Sequence, residues 1–159
     1  MYTFLYYLYF IRFKNQKIDQ IYKRVAIRIL NILLPFLFKI DPFQKKMRIN
    51  TINKKPEFIV SLTSFPPRII KVWLVIETLL RQKKKPDKII LWLYEGEFNG
   101  RTSLPGNLLR LEKRGLEIRF CKENLRPHLK YFYTMLENPD AIIITIDDDM
   151  FYPLDLTEK

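Results

Sequence analysis

The sequence predicts an α/β fold with a mainly parallel sheet and helices on both faces. Three observations support this class. Strand-like and helix-like patterns alternate from residue 57 onward, as they do in βαβ units. A run of β-branched residues at positions 142–146 ends in three consecutive acids, Asp147, Asp148 and Asp149. The chain has 159 residues, 48% of them apolar, with only 4 glycines, which suits one domain with a buried core.

The predicted strands and helices follow one another in strict alternation. Four strands are expected at residues 58–63, 88–93, 116–121 and 141–146, and three helices at 68–82, 107–114 and 127–137. Pro66 and Pro67 follow the first strand and suit the start of a helix, and Gly115 suits the end of the second helix. Because a helix joins each strand to the next, the connections are expected to be right-handed crossovers between parallel strands.

The fourth predicted strand delivers the three acids. Residues 142–146 form an unbroken β-branched run, which is typical of a strand buried on both faces. Three adjacent carboxylates repel one another and resist desolvation, so they need a counter-charge, water or a metal ion. Open parallel sheets bind ligands at the carboxyl ends of their strands. The acids are therefore candidates for a binding site, and the alternative is a solvent-exposed turn.

Polar residues also follow the other three strands. They are Ser61, Thr63, Ser64 and Arg68 after the first strand, Tyr94, Glu95 and Glu97 after the second, and Lys122, Glu123, Arg126, His128 and Lys130 after the third. Carboxylates hold hard cations and basic side chains hold phosphate, so this set suits a metal-bound diphosphate. The sequence contains no Walker A, Gly-x-Gly-x-x-Gly or Gly-x-Ser-x-Gly motif. Ordinary phosphate-loop, dinucleotide-binding and serine-hydrolase functions are therefore not supported.

The charge of the chain is concentrated at one end. The formal net charge is +11, of which residues 1–56 contribute +10 and residues 57–159 only +1. A nearly neutral α/β part argues against nucleic acid as its partner. The single Cys121 fits a reducing compartment, and we expect it to be a buried apolar residue, like Trp73 and Trp92. With one histidine, His128, a multi-histidine metal site is excluded.

The N-terminal part predicts amphipathic helices. In residues 17–40 a narrow polar face carries Gln20, Arg24, Arg28, Asn31 and Lys39, and apolar residues cover the remainder. Such a helix suits the plane of a membrane surface, and the alternative is packing on its own domain or on a partner. Pro35 is expected to bend or divide the helix. The apolar, aromatic segment at residues 2–13 is too short to span a bilayer.

These observations predict three regions. Residues 1–40 are expected to form the membrane-surface helices, residues 41–56 a basic linker, and residues 57–159 the α/β domain.

Several sequence blocks of the α/β region share a common resemblance. VSLTSFPPRI, KPDKIILWL, RGLEIRF, RPHLKYFY and IIITIDDDMFYP resemble, in this order, the N-terminal half of bacterial glycosyltransferases of the GT-A fold. The resemblance covers about residues 57–155. It implies a Rossmann-like donor-binding half, a nucleotide-sugar donor such as a UDP-sugar, and Mg²⁺ or Mn²⁺ held at an Asp-x-Asp motif. It also implies a saccharide or glycolipid acceptor, and a cytoplasmic location on the inner face of the bacterial membrane.

The resemblance also assigns roles to individual residues. Asp147 and Asp149 resemble the two acids of the Asp-x-Asp motif: Asp149 would ligate the metal, and Asp147 would contact ribose or a metal-bound water. The remaining donor-binding residues would be Ser61, Thr63 and Ser64 in the nucleoside pocket with Arg68 nearby, Glu95 or Glu97 at the base or ribose, and Arg126, His128 and Lys130 facing the donor. For His128 and Lys130 the alternative is solvated surface on the first turn of a helix.

The resemblance covers only the N-terminal half of these enzymes. Their C-terminal half supplies the acceptor site and the catalytic base. This chain ends at Lys159, so we expect a truncated or split product with no catalytic base of its own. The fourth strand would then lie near an open sheet edge. The alternative to a glycosyltransferase is a non-catalytic, membrane-associated remnant or subunit that pairs with a complementing C-terminal chain.

Overall fold

The computed structural model describes residues 11–40, 49 and 58–158, in two units comprising residues 1–44 and 45–159. The first unit contains a helix of 25 residues, α1 (Gln16–Ile40), which includes Pro35 without being divided by it. Near its start, Asn15 Oδ1 accepts a hydrogen bond from Lys17 N at 3.0 Å, as N-cap side chains do. Most of the aromatic segment at residues 2–13 and most of the linker at 41–56 lie outside the described residues.

The second unit contains four strands in one sheet. They are β1 (Phe58–Thr63), β2 (Lys88–Tyr94), β3 (Leu116–Cys121) and β4 (Ile142–Thr145). The spatial order is β3-β2-β1-β4, and every pair is parallel. The prediction of an α/β fold with a parallel sheet is therefore confirmed, and the architecture is Rossmann-like. The order places β1 and β2 at the centre, between β4 and β3.

The predicted helices are present but broken into shorter pieces. The helix expected at 68–82 is two helices, α2 (Pro66–Ile69) and α3 (Val72–Leu80). They are separated because Lys71 N bonds to Arg68 O, only three residues back, at 2.9 Å. This shorter bond tightens the chain at the end of α2 and replaces the regular α-helical spacing.

The second and third predicted helices also combine α-helical and 3₁₀ turns. The second comprises α4 (Gly106–Leu109) and a 3₁₀ turn, Arg110–Arg114, which ends at Gly115 with a left-handed φ of 106°. The third begins as a 3₁₀ turn, Arg126–Lys130, and continues as α5 (Phe132–Glu137). Gly115 therefore ends its helix as predicted, because glycine adopts positive φ without strain.

The core includes α3, the central strands and a cluster in which Ile59, Ile90 and Trp92 pack with Cys121 and Leu129. All nine residues of α3 are buried, and Ile59, Leu62 and Leu91 in the central strands are fully buried. Trp73, Trp92 and Cys121 are buried, as expected. The buried indole of Trp92 is paired, since its Nε1 donates to Thr134 Oγ1 on α5 at 2.8 Å. Such pairing removes the cost of burying a donor without a partner.

The prediction that the acid-bearing strand is buried on both faces is wrong. Within the described strands β4 pairs only with β1. Its four residues are exposed or half-buried, and Ile142 is 68% exposed. Ile146, just beyond the strand, is buried. The β-branched run thus reflects strand propensity and not a central position, whereas the expected sheet-edge position of β4 is observed.

Two sets of contacts tie peripheral segments to α3. Glu77 on α3 forms ion pairs with Arg81 and, at 2.5 Å, with Arg114, and all three residues are buried. Beyond the acids, Gln82 Nε2 donates to Pro153 O at 2.6 Å, and Lys83 N donates to Leu154 O at 2.9 Å. The chain on both sides of Asp147–Asp149 is therefore anchored, by β4 before it and by the end of α3 after it.

Candidate functional site

A cleft of ≈ 480 Å³ lies at the carboxyl ends of β1, β2 and β4. Thr63 and Ser64 end β1, Tyr94 ends β2, and Asp147 and Asp148 follow β4 along its wall. The remaining lining comes from Phe65 and Arg68, from Glu97, from Ile146, and from the segment after β3 with Asn124, Arg126, Pro127, Leu129 and Lys130. This is the sheet edge at which parallel α/β proteins bind ligands.

The three acids differ in orientation. Asp148 is 8% exposed; Ser64 Oγ donates to its Oδ2 at 2.6 Å, and Arg68 Nη1 to its Oδ1 at 2.8 Å. The side chains of Asp147 and Asp149 are 56% and 50% exposed. Asp148 therefore fixes the turn to β1 and α2. The carboxylates two residues apart, Asp147 and Asp149, remain accessible to a ligand.

Arg68 links the buried acid to one of the exposed acids. Its Nη1 atom lies 2.8 Å from Asp148 Oδ1 and 2.9 Å from Asp149 Oδ2. The hydrogen bond to Asp148, together with the charges of all three acids, raises the pKa of Arg68. The guanidinium also lies 5.2 Å from the ring centroid of Phe65, within cation–π range. Arg68 is thus a fixed counter-charge for the acid cluster.

Asp147 is held by two groups. Lys130 Nζ lies 3.0 Å from Asp147 Oδ1. The backbone N–H of Asp147 donates to Tyr152 Oη at 2.8 Å. Burial, followed by the neighbouring charge of Asp147, raises the pKa of Tyr152 despite that hydrogen bond. The neutral phenol therefore caps the strand end, while Lys130 supplies a positive charge at the cleft.

Arg126 lies in an unusual backbone conformation on the opposite wall. Its φ is +51°, the only positive φ among the described residues other than glycine. Asn124 Oδ1 accepts its backbone N–H at 3.1 Å, which stabilises the turn. A non-glycine residue in the left-handed region costs energy, and such residues concentrate at ligand sites.

The structure brings together most of the predicted site residues. Thr63, Ser64, Arg68, Arg126, Lys130 and Asp147 all line the cleft. Asp149 does not line the cleft, but its Oδ2 atom lies 2.9 Å from Nη1 of Arg68, which does. Six residues from three strand ends thus lie in one cavity, as the parallel order of the strands requires.

Besides Asp149, three predicted residues do not line the cleft. Ser61 is fully buried, and its hydroxyl lies 2.8 Å from Thr134 Oγ1, so its place is in the core and not in a nucleoside pocket. In the 3₁₀ turn Glu95–Glu97, the Glu97 side of the turn faces the cavity and Glu95 does not line it. His128 is exposed, with Nδ1 2.5 Å from Tyr131 Oη.

Sequence reasoning missed other lining or supporting residues. Phe65 and Asn124 lie in loops directly after strand ends, so their position in the chain was a usable signal. Tyr152 reaches back five residues to Asp147, and no sequence pattern indicates that contact.

The geometry suits one mode of divalent-cation binding. No group of three or more His, Cys, Asp or Glu side chains suited to a metal occurs in the described part of the chain. Mg²⁺, however, is commonly bound by one or two carboxylates together with substrate phosphates and water. Asp147 and Asp149 are the exposed carboxylates that could act in this way, and each is paired with a basic side chain, Lys130 or Arg68.

Comparison of this chain with protein-family models, with curated proteins and with solved structures gives no match. The fold and the cleft define its class. It is an α/β protein with a parallel sheet and, at the carboxyl edge of that sheet, a cleft lined by acidic and basic side chains. Within the described residues, α1 and the other helices lack the combination of length and apolar character needed to cross a bilayer.

Proposed function

We propose that the cleft binds a nucleotide-diphosphate sugar together with Mg²⁺ or Mn²⁺, as the donor-binding part of a GT-A-type glycosyltransferase. One observation carries the proposal: Asp147 and Asp149 are exposed while Asp148 is buried. This is the arrangement that an Asp-x-Asp motif needs, because alternate carboxylates reach the ligand. Three basic side chains, Arg68, Arg126 and Lys130, accompany them, and phosphate requires such a positive environment.

In this proposal, different residues contact different parts of the donor. Asp149, with Asp147, would hold the metal, which in turn offsets the charge that develops on the departing nucleoside diphosphate. Lys130 and Arg126 would contact phosphate oxygens from the wall after β3. Thr63 and Ser64 would lie at the nucleoside end, and Glu97 would accept hydrogen bonds from ribose or base. Asp148 lies in the cleft wall, and its bonds to Ser64 and Arg68 would position its neighbours.

In the reaction, a hydroxyl of the acceptor attacks the anomeric carbon of the sugar. The carbon–oxygen bond to the diphosphate breaks, the nucleoside diphosphate leaves with the electron pair, and the hydroxyl proton passes to a base. The acceptor is a saccharide or glycolipid of the bacterial surface, handled at the cytoplasmic side of the membrane. We assign no residue of this chain as that base.

A thermal-shift measurement tests donor binding. UDP with Mn²⁺ at about a hundredfold excess over Kd should raise the Tm of the full chain by roughly 5–10 °C. Asp149→Asn should reduce the rise to about half or less, as a Kd at least tenfold weaker requires. Glu158→Gln removes an exposed carboxylate at a distant ion pair with Lys83 and should keep the rise. If no nucleoside diphosphate shifts the Tm of the folded wild-type protein, donor binding is wrong.

A second candidate function is supported by the edge of the sheet. In the described strands β4 has one neighbour, and Ile142 in this strand is 68% exposed. Such an edge accepts a further strand from another polypeptide. The chain would then be a non-catalytic subunit, completed by a chain that supplies the acceptor site. Sugar transfer by the purified chain alone would contradict this alternative.

A further inference from the structure

An apolar stripe runs along the exposed face of α1. Its members recur every three or four residues: Ile18, Ile21, Val25, Ile29, Ile32 and Phe36. Each is between 50% and 74% exposed. At 1.5 Å per residue the stripe is about 27 Å long. Scattered apolar residues on a protein surface need no explanation, but a contiguous row of six indicates a binding surface.

The stripe is distinct from the apolar face that α1 already buries. Leu30, Leu34 and Phe38 lie on the other side of the helix and are at most 7% exposed. They are spaced by four residues, so they form a second row of their own. The helix therefore has one apolar face that is covered and a second that is exposed.

Positive charge lies along one margin of the exposed stripe. Lys17, Arg24 and Arg28 follow helical spacing next to it, and all three are exposed. The only acid of α1 is Asp19, and Lys23 neutralises it at 2.5 Å. The predicted polar face therefore borders the apolar stripe at Arg24 and Arg28, and the side chains of Asn31 and Lys39 lie outside the described residues.

We propose that α1 lies in the plane of an anionic bilayer surface, with the apolar stripe inserted and Lys17, Arg24 and Arg28 at the lipid headgroups. Amphipathic helices with an apolar face beside a basic one bind in this way. Charge favours an anionic lipid surface over a second copy of the chain, because anionic headgroups neutralise the basic margin, whereas a second copy also carries a net charge of +11. This proposal does not depend on the proposed donor site and can be tested separately from it.

Vesicle flotation of the full chain tests this surface. The protein should float with vesicles of phosphatidylcholine and phosphatidylglycerol, and much less with phosphatidylcholine alone. Ile32→Asn should weaken binding about tenfold, since a buried side chain of this size contributes about that much to partition. The matched control, Ile70→Asn, alters an isoleucine of similar exposure outside α1 and should bind as the wild type does.

A second test changes the basic side chains and leaves the apolar stripe intact. Arg24→Gln with Arg28→Gln should reduce binding to anionic vesicles about fivefold per arginine, and should leave the α-helical circular dichroism unchanged. Equal binding to neutral and anionic vesicles would overturn the proposal. So would equal losses for Ile32→Asn and Ile70→Asn, or concentration-dependent dimers of a protein that does not float.

Discussion

At the scale of single residues, three neighbouring aspartates have two different tasks. Asp148 turns inward to Ser64 and Arg68, and the side chains on either side of it stay exposed. The sequence places all three acids at a strand end, and the resemblance names Asp147 and Asp149 as the functional pair. It does not show that Asp148 anchors the turn, since that depends on contacts 80 and 84 residues away along the chain.

Arg68 should compete with a divalent cation for Asp149. Its guanidinium lies 2.9 Å from that carboxylate, so a metal ion has to displace it or share the oxygen. Arg68→Gln removes both the competitor and a nearby positive charge. We therefore expect the Kd for Mn²⁺, without nucleotide, to fall about twofold to fivefold, a modest effect because the pair is solvent-exposed.

The Mn²⁺ affinity of the Arg68 variant can be measured by electron paramagnetic resonance, which detects the free ion. A suitable control is Arg119→Gln, because Arg119 also bridges two acids, Glu117 and Glu137, at a separate place. That change should leave Mn²⁺ binding as in the wild type. Weaker Mn²⁺ binding by Arg68→Gln would show that Arg68 supports the cation site and does not compete with it.

At the scale of secondary-structure elements, the strands were easier to predict than the helices. The bounds of β1, in the centre of the sheet, and of β3, at its edge, agree with their apolar patterns. Helices were predicted too long: after Pro127, and at Arg68–Lys71, bonds to the third residue back replace α-helical bonds. Apolar spacing alone does not distinguish these two kinds of turn.

The contact between α3 and the turn before β3 should depend on Glu77. Glu77→Gln would leave the buried Arg81 and Arg114 without this counter-charge, and breaking a buried pair in this way costs about 3–5 kcal/mol. We expect urea unfolding to show a loss of that size. Glu117→Gln removes a partly exposed partner of Arg119 and should cost at most about 1 kcal/mol. Similar losses in the two variants would contradict the role given to Glu77.

At the scale of the whole molecule, the sequence separates a basic N-terminal part from a nearly neutral α/β part, and the structure has two units. The alternation of strands and helices was sufficient to predict the parallel sheet. In the described sheet β4 lies at the edge, whereas its β-branched run indicated a central strand. Strand order depends on which surfaces pack together, and residue patterns within one strand do not specify that.

Ser61 shows that the pattern within one strand also does not identify which of its residues reach the site. Its position at the end of β1 suggested the cleft, but side chains alternate across a strand, and Ser61 faces Thr134 on α5. Thr63, two residues later on the same face of the strand, lines the cleft because it lies at the edge of the sheet. The position of a residue along the strand therefore determines whether its side chain lies in the core or in the cleft.

The central claim is that Asp147 and Asp149 form a metal-dependent diphosphate site, and calorimetric titration of UDP tests it most directly. We predict that the wild-type chain binds UDP in the presence of Mn²⁺, and at least tenfold more weakly, about 1.4 kcal/mol, when the metal is chelated. Asp149→Asn should bind with the weaker affinity in both conditions. UDP binding that is unaffected by Mn²⁺ and by Asp149→Asn would contradict the account.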